Sequence, residues 1–264
     1  MRQLGVVGLV SLDRVDGGLP QLGGAPFHAA RALRLLGQPA VVATKIAPED
    51  SGRGLHALGL PVFSRPAART ISFRIENHGD ERAMEIEELG EPWTADEARG
   101  WLGRALAGAD WVHAGALTRA DFPPETLAVL RRGRILSFDG QGLVRVPEKG
   151  PLHLDSGFDP EVLRSVDILK LSEEEAAVLG VGFDARSLAS LGVREVVVTL
   201  GRAGAVVYQD GRAERVPVKP LDPADPTGSG DAFMAAYLSY RRLRHGPLSA
   251  ARLAGDIVRV LLAA

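Results

Sequence analysis

Near the C-terminal end of this 264-residue chain, Asp225-Pro226-Thr227-Gly228-Ser229-Gly230-Asp231 runs directly into the helical pattern Ala232-Phe233-Met234-Ala235-Ala236-Tyr237-Leu238. Three consecutive small residues at a helix N-terminus leave backbone N–H groups aimed at an anion, and the positive end of the helix dipole adds to the attraction. A phosphate fits such a cradle. Asp231 falls in the first turn, where an acid stabilises the helix yet repels a phosphate unless something such as a substrate hydroxyl is held between them. That tension favours a catalytic reading of Asp231 beside an anion cradle of Gly228, Ser229 and Gly230. Glycine, serine and aspartate are also ordinary capping residues, so the turn alone predicts only a helix start. A second acid, Asp13, lies just beyond the C-terminal end of the first apolar run, where doubly wound sheets place their ligands.

The elements that must position these residues follow from hydrophobic periodicity. Residues 4–12 form a near-continuous apolar run, the pattern of a strand buried on both faces. Residues 24–36 then carry alanine, leucine and arginine at helical spacing, closed by Gly37, before a second apolar run over 39–44. Further runs at 111–114, 134–138, 166–169 and 195–200 alternate with amphipathic stretches such as 95–106 and 173–179. This alternation predicts an α/β fold with a mostly parallel sheet. Residues 70–76 and 81–87 instead alternate polar and apolar around Asn77-His78-Gly79-Asp80, a hairpin with one wet face that should stand apart from the parallel sheet. A shorter hairpin is expected around Asp16-Gly17-Gly18. The two pieces, about 14–22 and 70–87, suggest a β flap or lid over the ligand edge. No linker or repeat divides the chain, so residues 1–264 read as one domain carrying that lid.

Composition narrows the partner. With 31 basic against 33 acidic residues the net charge is −2, which leaves no electrostatic footprint for nucleic acid or an anionic membrane. The absence of cysteine excludes disulfides and thiolate metal sites. No uninterrupted apolar stretch of membrane-spanning length and no signal-peptide pattern is present, so a cytoplasmic location is expected. The partner should be a small molecule.

The C-terminal string closely resembles the signature of the ribokinase-like, or PfkB, carbohydrate kinases, in which an Asp-x-x-Gly-x-Gly-Asp run opens a helix of small residues. Other segments carry the resemblance in the same order. Gly23-Gly24-Ala25-Pro26-Phe27-His28 looks like the family's N-terminal Gly-Gly motif, and Lys45-Ile46-Ala47-Pro48-Glu49-Asp50-Ser51-Gly52 resembles the segment after its second strand. Lys170-Leu171-Ser172-Glu173-Glu174-Glu175 falls at its Asn-x-x-Glu motif, and residues 196–205 (VVVTLGRAGA) resemble its nucleotide-binding strand and turn. The resemblance implies a three-layer α/β/α kinase using ATP and Mg2+ to phosphorylate a hydroxyl of a sugar or polyol. It further implies Asp231 as base and the backbone of Gly228, Ser229 and Gly230 as anion hole. Thr199 and Gly201 would lie against the nucleotide, Glu175 would arrange magnesium, and Asp13, Gly24 and His28 would meet the acceptor. A homodimer through the lid is a further implication.

The pattern departs from the family at two positions. His28 stands where an Asn is usual, which leaves the acceptor open, and Ser172 replaces the Asn of the Asn-x-x-Glu motif while forming the Ser-x-x-Glu pattern of a capping box with Glu175. The chain stops at Ala264, without an obvious counterpart of the family's last loop, so weak or no activation by potassium is expected although Asp225 is kept. Alternatives on the same scaffold are a kinase for a nucleoside, inositol or vitamin precursor, or a non-catalytic kinase-like regulatory protein; retention of Asp231 argues against the last. No Gly-x-x-x-x-Gly-Lys-Ser/Thr run exists. Two loose glycine fingerprints, starting at Gly52 and Gly180, do not follow the first strand and are discounted, and the six histidines lack metal-ligand spacing.

Overall fold

The structure, a computed structural model, describes residues 3–78, 81–219 and 227–263. Asp225, Pro226, the segment 220–224 and the turn residues Gly79 and Asp80 lie outside the described residues. The strands are β1 (Gln3–Gly8), β2 (Ser11–Val15), β3 (Gln21–Gly23), β4 (Ala40–Ile46), β5 (Val62–Pro66), β6 (Ile71–His78), β7 (Glu81–Glu88), β8 (Ala109–Gly115), β9 (Ile135–Asp139), β10 (Gly150–Pro151), β11 (Ile168–Ser172), β12 (Glu195–Thr199), β13 (Ala205–Gln209) and β14 (Arg212–Val216). The helices are α1 (Gly24–Leu35), α2 (Ala95–Arg99), α3 (Trp101–Ala105), α4 (Pro124–Arg131), α5 (Gln141–Val144), α6 (Glu173–Val178), α7 (Ala185–Ala189), α8 (Ser229–Arg242) and α9 (Pro247–Leu262).

Among the described residues two sheets form. The larger runs β14-β13-β12-β11-β9-β8-β1-β4-β5; its strands are parallel from β12 to β5, and β13 and β14 join antiparallel at one edge. Its inner strands, from β12 to β4, are buried on both faces because successive side chains enter different cores, whereas the edge strands β5 and β14 are largely exposed. Leu4 and Val6 pack with Ala29, Leu33, Met234 and Tyr237 of α1 and α8, whereas Val7 packs with Leu102, Leu127 and Leu136 on the other side. The mostly parallel sheet expected from the alternating pattern and the three layers implied by the family resemblance are therefore present. No described helix is long and apolar enough to cross a membrane.

The smaller sheet, β10-β7-β6-β2-β3, is the lid. The apolar run 4–12, expected as one strand, is two: the chain leaves the parallel sheet after Gly8 and enters the lid at Ser11. Val10 N–H donates to Thr44 Oγ1 at 3.1 Å across this break. The run hides the transition because the inner face of the lid packs on the same core, with Ile71 and Phe73 beside Val7 and Leu9. The stretch 95–106, expected as one helix, is broken at Gly100 (φ −90°, ψ −114°) into α2 and α3, which still bury Ala98, Leu102 and Leu106. The capping box expected at Ser172 is formed: Glu175 N–H donates to Ser172 Oγ at 3.1 Å and Ser172 N–H to Glu175 Oε2 at 2.8 Å.

Candidate active site

A cavity of about 620 Å³ opens at the C-terminal ends of the parallel strands, under the lid. The N-terminus of α8 forms one wall. Gly228 caps this helix in the left-handed region (φ 72°), which glycine adopts without steric cost, and a Cβ there would run into the His28 imidazole. Ser229, Gly230 and Asp231 make the first turn. Their N–H groups precede the point where intrahelical bonding begins, Ala232 N–H being the donor to Gly228 O.

Asp231 stands in a cluster of buried ionisable groups delivered by strand ends. Asp139 closes β9, Lys170 lies near the end of β11, Glu175 is on α6, and His113 is on β8. Ligand atoms of His113, Asp139 and Asp231 lie within 4.8 Å of one another. Burial, and behind it the Asp139 carboxylate, raise the Asp231 carboxyl to about 7, with Lys170 and Arg145 pulling the other way. Burial likewise raises Glu175, opposed mainly by Lys170. Burial alone would lower the Lys170 ammonium, but Asp139, Glu175 and Asp231 outweigh it and hold the group above its ordinary value. His113 is pushed down to about 4 by burial, so it is neutral at physiological pH; its Nδ1 lies 2.7 Å from Ser137 Oγ.

The opposite wall carries Asp13 and Ser11 from β2, with Gly24 and His28 at the start of α1. Burial raises the Asp13 carboxyl above its ordinary value, and among the described residues its Oδ1 has no hydrogen-bond partner. Gly24 has φ 82°, and a Cβ there would approach Leu9 O to 2.5 Å. His28 is buried rather than on the helix surface. Over the opening, β6 and β7 place Phe73, Ile75 and Met84 beside the guanidinium-bearing Arg82, while Gln141 and Arg145 reach the cavity from the α5 region.

A second, apolar cleft of about 190 Å³ lies behind the cradle, floored by Phe233, Val218, Val258 and Leu262, with Arg202, Lys219 and Arg259 also lining it. Thr199, Gly201, Ser229 and Gly230 line both spaces, so the cradle is the partition between them.

The structure thus gathers Asp13, Gly24, His28, Glu175, Thr199, Gly201 and 228–231 around one cavity. Sequence reasoning passed over His113, Asp139, Arg145 and Lys170. Asp13, expected just beyond the end of the first strand, lies instead within β2 of the lid, whereas the same rule applied to the later strands would have found Asp139 and Lys170. His113 sits within β8 and gave no such signal.

A sequence model of the pfkB family carbohydrate kinases matches residues 155–255. Inositol 3-kinase of Oryza sativa subsp. japonica is 36% identical over 125 residues, 44% of this chain and 30% of that protein. Fructokinase of Klebsiella pneumoniae is 29% identical over 171 residues, 58% of this chain and 52% of that one. The matched stretches therefore span about a third and about half of these curated relatives. A solved pyrophosphate-dependent kinase in the ribokinase family, complexed with a pyrophosphate analog and myo-inositol, superposes with a TM-score of 0.83 at 27% identity, over 98% of this chain and 95% of that one. Residues 155–255 are thus similar to the pfkB family carbohydrate kinases, and the whole chain shares the fold of that ribokinase-family kinase.

Proposed function

We propose that the protein transfers a terminal phosphoryl group to a hydroxyl of a sugar or cyclic polyol held between Asp13 and the lid. The observation that carries this reading is the cradle of Gly228, Ser229 and Gly230, which lies between two cavities with Asp231 on the acceptor side. The acceptor hydroxyl gives its proton to the Asp231 carboxylate, its oxygen bonds to the terminal phosphorus, and the bond from that phosphorus to the donor oxygen breaks. The cradle N–H groups stabilise the charge on the transferring group. Asp13 accepts from other acceptor hydroxyls, with Gly24 giving the backbone close access and His28 bordering both acceptor and cradle. Phe73, Ile75 and Met84 suit the apolar face of a ring. A cyclitol or a furanose fits that pairing of polar floor and apolar roof.

ATP is the donor in this reading, its base in the cleft of Phe233, Val218, Val258 and Leu262, with Thr199 and Gly201 beside the phosphates. Magnesium would be held through Glu175, whose carboxylate is fixed by the Ser172 N–H at one oxygen and offers the other to an oxygen-preferring cation. When bound, that ion neutralises donor phosphate charge. A second donor, inorganic pyrophosphate, is supported by Arg202, Lys219 and Arg259 around the small cleft and by the likeness to the pyrophosphate-dependent kinase. Pairing of lids into a homodimer is supported by the lid's edge strand β3 and the 83% exposed Leu19 before it.

The test is a product-release screen over sugars, cyclitols and nucleosides, run in parallel with ATP and with pyrophosphate. Turnover of a sugar or cyclitol is expected. Turnover confined to nucleosides, or none with any acceptor and either donor, would refute the reading.

A further inference from the structure

Lys170 has no role in the reaction described so far, yet it occupies the centre of the site. Its side chain is 3% exposed and reaches the cavity floor. A Cβ added to Gly230 would lie 3.1 Å from its Nζ, so the ammonium sits against the middle of the cradle. Around it, Nζ is 3.4 Å from each Asp139 oxygen and 3.9 Å from Glu175 Oε2, with Asp231 close enough to act on its charge.

Two physical points follow. Charge-assisted N–H···O bonds normally close to about 2.7–2.9 Å. The longer separations show an ammonium centred among acids rather than committed to one of them, and its three rotatable donors leave a hydrogen for a further anion. Secondly, Asp139, Glu175 and Asp231 present carboxyl groups at the same place where the cradle would receive a phosphoryl group. Like charges at that spacing in a desolvated site repel strongly, and Lys170 is the buried cation that lies among them.

We propose that Lys170 is a catalytic residue, its ammonium contacting the transferring phosphoryl group from the cavity floor while the 228–230 amides hold it from the helix side. The inference rests on the kinase reading of the cradle. Lys170 moves no proton; it supplies a fixed positive charge where negative charge is redistributed from donor to acceptor, the kind of preorganised electrostatic aid that replaces solvent in phosphoryl transfer. The competing role is structural: Lys170 could serve only to neutralise Asp139 and its neighbours.

The two roles separate in a set of full-length variants, K170M, D139N and K170M/D139N, assayed with the acceptor and donor that the wild type turns over. K170M is expected to lower kcat by at least ~10²-fold, the scale of one lost transition-state donor, with acceptor KM within about threefold. D139N removes the carboxylate charge nearest to Lys170, so the double variant keeps a more balanced interior if K170M alone folds poorly. It should remain at least ~10²-fold slower than D139N. Calorimetric binding of the wild-type donor should weaken at least ~10-fold in K170M, as expected for a lost hydrogen bond to a charged group. A double variant as fast as D139N, or unchanged donor binding together with an unchanged kcat in K170M, would overturn the proposal. A wild type inactive on every acceptor sinks the kinase reading instead, which these comparisons distinguish from failure of Lys170 alone.

Discussion

The two halves of the cavity are built from different material. The phosphoryl half stands on the ends of β9 and β11 and the start of α8, elements packed on both faces, and its charged groups Asp139, Lys170, Glu175 and Asp231 are all buried. The acceptor half is roofed by β6 and β7, strands with a dry inner face and a wet outer one, where Arg74 forms exposed pairs with Glu85 and Glu87. In the first half, position is dictated by the core. In the second, Arg82 lines the cavity from an exposed position on β7 and can change without disturbing the core that Ile71 and Phe73 share with the large sheet. Under the proposed kinase reading, damage to the packed half should move kcat and damage to the lid should move acceptor KM, and the strongest test is to damage each half and compare which constant moves.

The largest effect is expected from Asp231→Asn. The amide keeps the shape of the carboxyl but cannot accept the hydroxyl proton, so kcat should fall by ~10²–10⁴-fold while donor binding is retained. The same group fixes the pH profile: with its carboxyl raised to about 7, the carboxylate needed as base is lost below that pH, and kcat should climb through the neutral range and level off above it. Comparable turnover of wild type and variant at pH 8 would remove Asp231 from the mechanism.

Gly228→Val should come next, at ~10²-fold in kcat, because a misplacement of about an ångström in a positioning group costs that much. A branched residue is strained at φ 72°, and its Cβ must displace His28, so the cradle and the acceptor wall shift together. A rate within a few-fold of wild type would show that the helix start is not a close-approach site.

How much of this was legible in the sequence differs between the halves in the same way. The proposed cradle and Asp231 are contiguous, so one local window contains both, and the strand-helix alternation that holds them follows from periodicity. Lys170, Asp139 and His113 are joined only by the sheet order β11-β9-β8, which no local window contains. The lid hairpin was readable from its period of two, with β6 and β7 at nearly the expected bounds. The departure of β2 from β1 was not, since Leu9 and Val10 are apolar on both sides of a break that Thr44 secures from another strand.

In the acceptor half the expected signature is in KM. Asp13→Ala removes a buried carboxylate whose Oδ1 has no hydrogen-bond partner among the described residues. Acceptor KM should rise ~10- to 10²-fold, the value of a hydrogen bond to a charged group, with donor KM within about twofold. Equal rises in both constants would place Asp13 outside the acceptor pocket and erase the division between the halves.

The smallest effect concerns stability. A carboxyl whose folded-state value is raised above its unfolded one, here to about 7 from 3.8, binds protons more tightly in the folded chain. Its ionisation therefore favours unfolding as pH rises from near 4 to near 7, and below that window both states hold the proton and the contribution vanishes. Asp231→Asn has no charge to bury. The variant should melt at a higher temperature than wild type at pH 8 and at nearly the same temperature at pH 4, and the difference should grow mainly between those values. Asp13→Asn, also raised by burial, should show the same sign. Ser11, Arg82 and Arg145 all oppose the rise at Asp13, whereas Asp139 and Glu175 add to it at Asp231, so the gain at Asp13 should be smaller. Thermal melts of wild type and both variants across pH 4–8 provide the measurement. A variant at Asp231 that is less stable than wild type at pH 8 would mean that Lys170 and Arg145 hold the carboxylate strongly enough to outweigh its desolvation, and that the packed half is stabilised by its charges rather than strained by them.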